Sequence, residues 1–277
     1  MEGYPSFIII GAMKAGTTTL YRWLDLHPDC TLPAVKEPAF FALEDRWNRG
    51  LKWYRSIFPE GHTITGEASV IYTDPIFAPM AAERMSSTLP DVRLVFVARH
   101  PVERARSHYI HQVQRGRERR TFEDAIRAPN NPYLRRSCYF SALKPFIDRF
   151  SPAHLLVVWF EELFTSDQDY EWRRLLKYLG LSGSERPIAI HNRTAERPIW
   201  SRTGRWIFDT GFRAAPSWLP KPIRSVARAL LTNDSSQVVK RLISSADDDM
   251  SGSLPATMWE DVELFLAWAG SSNNRWK

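Results

Sequence analysis

Short, continuously apolar runs alternate along this chain with stretches whose apolar residues recur every three or four positions. Phe7-Ile8-Ile9-Ile10 has no polar alternate and stops at Gly11, the pattern of a strand covered on both faces. Residues 17–26 follow with Leu20, Trp23, Leu24 and Leu26 at helical spacing. Arg93-Leu94-Val95-Phe96-Val97-Ala98 predicts a second strand, ending at Arg99. Pro101, with its fixed φ and missing N–H, suits the first position of a helix that runs to about Arg115. Thr121 with Asp124 three residues on resembles a helix-starting capping box. Leu155-Leu156-Val157-Val158-Trp159 is a third buried-strand candidate, and residues 169–179 read as an amphipathic helix closed by Gly180.

Strands alternating with helices predict an α/β domain: a P-loop-like, three-layer fold with a central parallel sheet flanked by helices. Beyond His191 the pattern weakens into an Arg-, Trp- and Pro-rich stretch to about Pro222, with helical spacing again at 223–231 and 256–268. The expectation is one domain over residues 1–277, its core at about 6–197 and a helical extension at about 198–277.

Composition adds limits. At 277 residues, 44% hydrophobic, the chain can bury a large core. Its net charge of +6 favours anionic ligands, and clusters such as Arg115-Gly-Arg117-Glu-Arg119-Arg120 raise the alternative of polyanion or nucleic-acid binding, although such a run also suits a solvated helix end. Cys30 and Cys138 stand far apart in no metal-ligand spacing, so neither a disulfide framework nor a metal site is expected. No apolar run reaches the ~18 residues of a membrane span, and the N-terminus lacks a basic region; a cytoplasmic protein without stable membrane insertion is expected.

Candidate chemistry sits at strand ends. Gly11-Ala-Met-Lys14-Ala15-Gly16-Thr17-Thr18-Thr19 joins the first strand to the first helix, where backbone N–H groups and the helix N-terminus hold anions. Lys14 supplies a charge and the Thr hydroxyls can donate to oxyanions. The order departs from the nucleoside-triphosphate loop G-x-x-x-x-G-K-[ST], because Lys14 precedes Gly16; an ATP-dependent phosphotransferase on a similar fold is kept as an alternative. Arg99 at a strand end and Ser107 two turns into the next helix form a second anion-binding pair. Glu37, among Pro38, Phe40 and Phe41, is expected to be partly desolvated and more basic for it.

These motifs together resemble PAPS-dependent sulfotransferases, where PAPS is 3′-phosphoadenosine-5′-phosphosulfate, and lie nearest to the heparan sulfate N-/O-sulfotransferase-like and bacterial members. Lys14-Ala15-Gly16-Thr17-Thr18 looks like the family's 5′-phosphosulfate loop, Arg99-His-Pro101-Val-Glu-Arg104-Ala-Arg-Ser107-His-Tyr109 is similar to its R-x-P-x-x-R-x-x-S-x-Y pattern, and Lys36-Glu37-Pro38-Ala39-Phe40-Phe41 resembles its K-E-x-x-F-F segment. The resemblance implies sulfuryl transfer to an acceptor hydroxyl or amine on a glycan or small molecule, with no metal. It further implies that Lys14 contacts the leaving oxygen, that Arg99 and Ser107 hold the 3′-phosphate, and that Glu37 is the base. Gly66-Glu67-Ala68-Ser69-Val70-Ile71-Tyr72 looks like G-E-K-S-P-x-Y, with Ala68 replacing the Lys and Val70 the Pro; Glu67 is a second base or acceptor-orienting candidate, and His111 an acceptor-side one. Tyr139 is a cofactor candidate by its place in the family's next helix, and Arg193 or Arg197 would serve a late nucleotide loop that lacks a clear K-G-R pattern. Some of Trp47, Trp53, Trp200, Trp206 and Trp218 could stack on an acceptor.

Overall fold

A computed structural model of the chain describes residues 3–59, 64–166, 169–183, 185–187, 237–246, 254–271 and 275–276. Five parallel strands form the sheet: β1 (Phe7–Gly11), β2 (Cys30–Thr31), β3 (Ile64–Ala68), β4 (Arg93–Ala98) and β5 (Leu155–Trp159), in the order β2-β3-β1-β4-β5. Helices flank it, giving the three-layer α/β architecture that the apolar runs predict. Phe7, Ile8, Ile9 and Ile10 have no exposed surface. Burying each such side chain contributes about 1.5–3 kcal/mol before conformational entropy is subtracted, which is why β1 takes the centre of the sheet.

Register follows from packing. Phe7 stands opposite Gly66 on β3 and Arg93 on β4, and a Cβ at position 66 would run into the Phe7 ring. Leu94 to Ala98 pair in step with Leu155 to Trp159. After β1 the chain proceeds to β2 and β3 on one side, then returns to lay β4 on the other. The connections leaving β1 and β4 therefore diverge and open a crevice at their C-terminal ends, the place where open α/β sheets hold ligands. A cavity lined by Tyr4, Ser6, Val92, Arg93 and His154 lies at the opposite, N-terminal edge of the sheet.

Among the described residues the α-helices are α1 (Thr17–Asp25), α2 (Glu44–Trp47), α3 (Gly50–Ser56), α4 (Ala78–Thr88), α5 (Pro101–Gln114), α6 (Phe122–Arg127), α7 (Pro132–Arg135), α8 (Tyr139–Ile147), α9 (Phe160–Phe164), α10 (Tyr170–Leu179), α11 (Gln237–Ser244) and α12 (Ala256–Trp268). Thr121 caps α6 as expected, its hydroxyl accepting from the Asp124 N–H at 3.2 Å, and Gly180 closes α10 in the left-handed conformation. The stretch from 192 to 222 and the helical spacing at 223–231 lie outside the described residues.

Two compact units are present, and their boundary falls inside α5. The first contains the sheet: residues up to Arg104, Leu134–His191, and Pro255 onward. The second begins at Ala105, runs to Tyr133, and includes α11. Its core is set by Tyr109, fully buried, whose hydroxyl donates to the carbonyls of Arg120 at 2.9 Å and Leu242 at 3.0 Å. Glu118, also buried, accepts from the backbone of Arg119 and Arg120, the Arg120 guanidinium and the Tyr133 hydroxyl. Burial alone would raise its pKa; those donors win and hold it down at about 2. Among the described residues no helix is long and apolar enough to cross a membrane.

Candidate active site

The loop after β1 is held in an unusual shape. Lys14 has φ 70° and Gly16 φ 78°. Left-handed residues set into such a turn aim backbone N–H groups to one side, as in an anion nest, while the Ala15 N–H is taken by the Ala12 carbonyl at 3.2 Å. Gly16 suits its place twice over: it tolerates the positive φ, and a Cβ there would stand 2.6 Å from the Phe164 ring. It also starts α1, whose first turn carries neither a side-chain cap nor an acidic residue. The partial positive charge of the helix N-terminus is thus left for a ligand. Ala15 and the side chains of Thr17 and Thr19 are buried, while Thr18 is half-buried and the most open of the three hydroxyls.

Three arginines brace this loop. Arg99, at the end of β4, donates from Nη1 to the Lys14 carbonyl at 3.2 Å and lays its guanidinium on the Phe160 ring at 4.6 Å. Arg104 is fully buried; its Nε donates to Ser137 Oγ at 2.8 Å and its Nη1 to the Met13 carbonyl at 3.4 Å. Burial lowers its pKa to about 10, so it keeps its charge at neutral pH. Arg136 chelates the buried Asp74, with Nε on Oδ2 at 2.8 Å, and reaches Met13 Sδ with Nη1 at 3.2 Å. With the Met13 and Lys14 carbonyls drawn to the guanidinium groups of Arg104 and Arg99, the backbone of the loop is preorganised.

Glu37 stands one strand over. Its N–H donates to the Ala68 carbonyl at the end of β3 at 3.1 Å, and Ala68 pairs with Ile9 of β1. The C-terminal ends of β3, β1 and β4 thus carry, in order, the Glu37 turn, the Lys14 loop and Arg99. Glu37 and Ala39 both have positive φ, 58° and 53°. The desolvation expected of Glu37 is not found: Pro38, Phe40 and Phe41 turn inward, and the carboxylate is exposed, paired with Lys36 Nζ at 2.8 Å.

Other expectations are corrected. Glu67 cannot touch an acceptor in this conformation, because its carboxyl is wholly buried and accepts from Tyr54 and Tyr72 hydroxyls at 2.8 Å each and from Ser69 Oγ at 2.7 Å. Burial raises its pKa from 4.5 to about 7 despite those donors. Tyr139 is not open to a nucleotide: it is fully buried, and its hydroxyl donates to the Arg99 carbonyl at 2.7 Å, which makes it a support for Arg99. Ser107 and His111 lie in the second unit on α5, the first buried and the second half-buried. Trp47 and Trp53 pack on Phe40. Arg193, Arg197, Trp200, Trp206 and Trp218 lie outside the described residues.

Sequence reasoning missed Arg136 with Asp74, and Glu161, which accepts from the His100 N–H at 2.8 Å beside Arg99. A buried anion-binding loop needs cationic support from elsewhere in the chain, and Arg136, directly before the Ser137-Cys138-Tyr139 segment, was the available signal.

Residues 4–196 match the family described as Sulfotransferase domain. The chain belongs to this sulfotransferase family. Mouse heparan sulfate glucosamine 3-O-sulfotransferase 3B1 is 32% identical over 186 residues, 64% of this chain and 46% of that protein. Human heparan sulfate glucosamine 3-O-sulfotransferase 6 is 34% identical over 187 residues, 64% of this chain and 53% of that protein. The chain spans about half the length of these curated relatives. Among solved structures, a sulfotransferase from Alicyclobacillus acidocaldarius superposes with TM-score 0.58 at 26% identity, covering 90% of this chain and 98% of that one. The sulfotransferase match contains the Lys14 loop, Glu37, Arg99 and Arg136, and stops short of α11 and α12.

Proposed function

We propose that this chain transfers a sulfuryl group from PAPS to a hydroxyl or amine of a glycan-like acceptor. The observation that carries the reading is the uncapped N-terminus of α1, entered through left-handed Lys14 and Gly16 and braced by Arg99, at the crevice where β1 and β4 diverge. A phosphosulfate, with its spread negative charge, fits backbone N–H groups and a Lys better than a neutral ligand does. In this reading Arg99, which reaches the Lys14 carbonyl with Nη1 and stands 3.8 Å from the Glu103 carboxylate with Nη2, turns its planar guanidinium to the donor's 3′-phosphate, a group that ATP lacks.

The acceptor attacks sulfur in line. A bond from the acceptor oxygen or nitrogen to sulfur forms as the bridging oxygen–sulfur bond breaks, the acceptor proton passes to Glu37, and 3′-phosphoadenosine-5′-phosphate leaves with its new charge at Lys14. A sugar acceptor is supported by the likeness to heparan sulfate 3-O-sulfotransferases. The phosphotransferase alternative has no support from the loop, which lacks G-K-[ST].

Calorimetry with 3′-phosphoadenosine-5′-phosphate, 5′-AMP and ATP tests the donor. Binding that requires the 3′-phosphate and weakens at least about tenfold in Arg99→Ala is expected. A preference for ATP with Mg²⁺, or no nucleotide binding, would overturn it.

A further inference from the structure

Glu67 is a buried acid that the transfer chemistry leaves unused. Its carboxyl sits in a cage of hydroxyls: Tyr54 from α3, Tyr72 and Ser69 from just beyond β3. Phe40 stacks on Tyr54 with centroids 4.4 Å apart, and Phe41 packs against Tyr54 and Tyr72 at 5.1 and 5.8 Å, closing the cage from the Glu37 side. The bond directions matter. Ser69 Oγ spends its one proton on Glu67 Oε2, which leaves its lone pairs to accept the Ala39 N–H at 3.0 Å. That bond, with Glu37 N–H on the Ala68 carbonyl, tethers a turn whose residues 37 and 39 both sit at positive φ. Such backbone is strained for a residue that carries a side chain and persists only where the surroundings over-determine it.

We infer that Glu67 is a positioning residue for the transfer reaction, acting through Ser69 to hold the Lys36–Ala39 turn so that the Glu37 carboxylate faces the acceptor. The inference rests on Glu37 being the base. Glu67 itself never meets the substrate; it orients the Ser69 hydroxyl, which orients the turn. The proximity of the two carboxyls is visible in their electrostatics, since Glu37 adds to the upward shift of Glu67.

The test combines kinetics with hydrogen–deuterium exchange on Ser69→Ala, Glu67→Gln, the double variant and Glu37→Gln, using labelled PAPS and heparan sulfate. Ser69→Ala should free the Ala39 amide to exchange and lower kcat about 10- to 100-fold, the scale of a misplaced catalytic group. The KM for PAPS and the affinity for 3′-phosphoadenosine-5′-phosphate should stay at wild-type values. Glu67→Gln should lower kcat less, and the double variant should be no slower than Ser69→Ala alone, because one residue acts through the other. Wild-type kcat in Ser69→Ala despite fast exchange of the turn would overturn the inference, as would additive losses in the double variant. Exchange needs no acceptor, so a wild-type protein inert on heparan sulfate would count against the proposed function, and unchanged Ala39 protection in Ser69→Ala against this inference. Full turnover in Glu37→Gln would remove the base assignment alone.

Discussion

Lys14 has two properties that can be separated by substitution. In the proposed reaction its ammonium meets charge on the leaving phosphate, while its backbone is held at φ 70°. Lys14→Ala should lower kcat by about 100-fold or more while nucleotide binding changes little, the mark of a contact made mainly in the transition state. Lys14→Gly should be equally slow but more stable than Lys14→Ala by about 1 kcal/mol, since only glycine adopts that φ without strain. Equal melting temperatures for the two variants would show that the loop relaxes. Arg104 differs in kind: it is buried and binds Met13 and Ser137, so Arg104→Met should reduce stability as well as activity, by about 1–3 kcal/mol for the carbonyl and hydroxyl left without a donor. At this scale the sequence was informative about position: Lys14 and Arg99, read at the ends of two separate strands, stand within hydrogen-bond reach of each other. It misled at Glu37, whose apolar neighbours proved to point away from its carboxylate, and at Tyr139, whose aromatic ring serves the fold.

Among the elements, α1 carries the argument for anion binding. Its first turn has no acid. Thr18→Asp would add one, which should leave stability unchanged or raise it by about 0.3–1 kcal/mol through the helix dipole. The same charge should weaken nucleotide binding by tenfold or more, read by calorimetry; unaltered affinity would place the nucleotide elsewhere. The strands β1, β4 and β5, and helices α1, α5, α6, α10 and α12, were legible because each has a continuous apolar run or a clear period with a capping or stop residue. β3 was not: Ile64-Thr65-Gly66-Glu67-Ala68 holds a glycine and a buried acid where a strand would ordinarily show apolar residues, and only Phe7 and the hydroxyl cage make both fit.

For the molecule as a whole, two buried acids give stability opposite dependences on pH. Glu67 has a pKa raised above its ordinary 4.5, so the folded state binds the proton more tightly; its contribution is full below pH 4.5 and is lost as pH rises through about 7. Glu118 is held down at about 2, so its contribution is present above 4.5 and is lost as pH falls towards 2. The melting temperature of wild type relative to Glu67→Gln should therefore decline between pH 4.5 and 7, whereas Glu118→Gln should cost most at neutral pH and least in acid. Parallel melting profiles for wild type and either variant would contradict the assignment of that group.

The sequence by itself determined the parallel α/β class, the Gly-containing loop with Lys14 between β1 and α1, the arginine at the end of β4 and the family resemblance, because each depends on residues close together in the chain. Only the tertiary structure decided which polar residues are buried supports and which stand open to solvent. Glu37 and Glu67 are both acids beside aromatic residues, yet one is exposed and ion-paired while the other is sealed under three hydroxyls. Arg104 and Arg136 became braces of the Met13–Lys14 loop through contacts spanning some ninety residues or more of chain. Burial and hydrogen-bond direction are set by what the sheet brings together across such distances, and no local pattern encodes that.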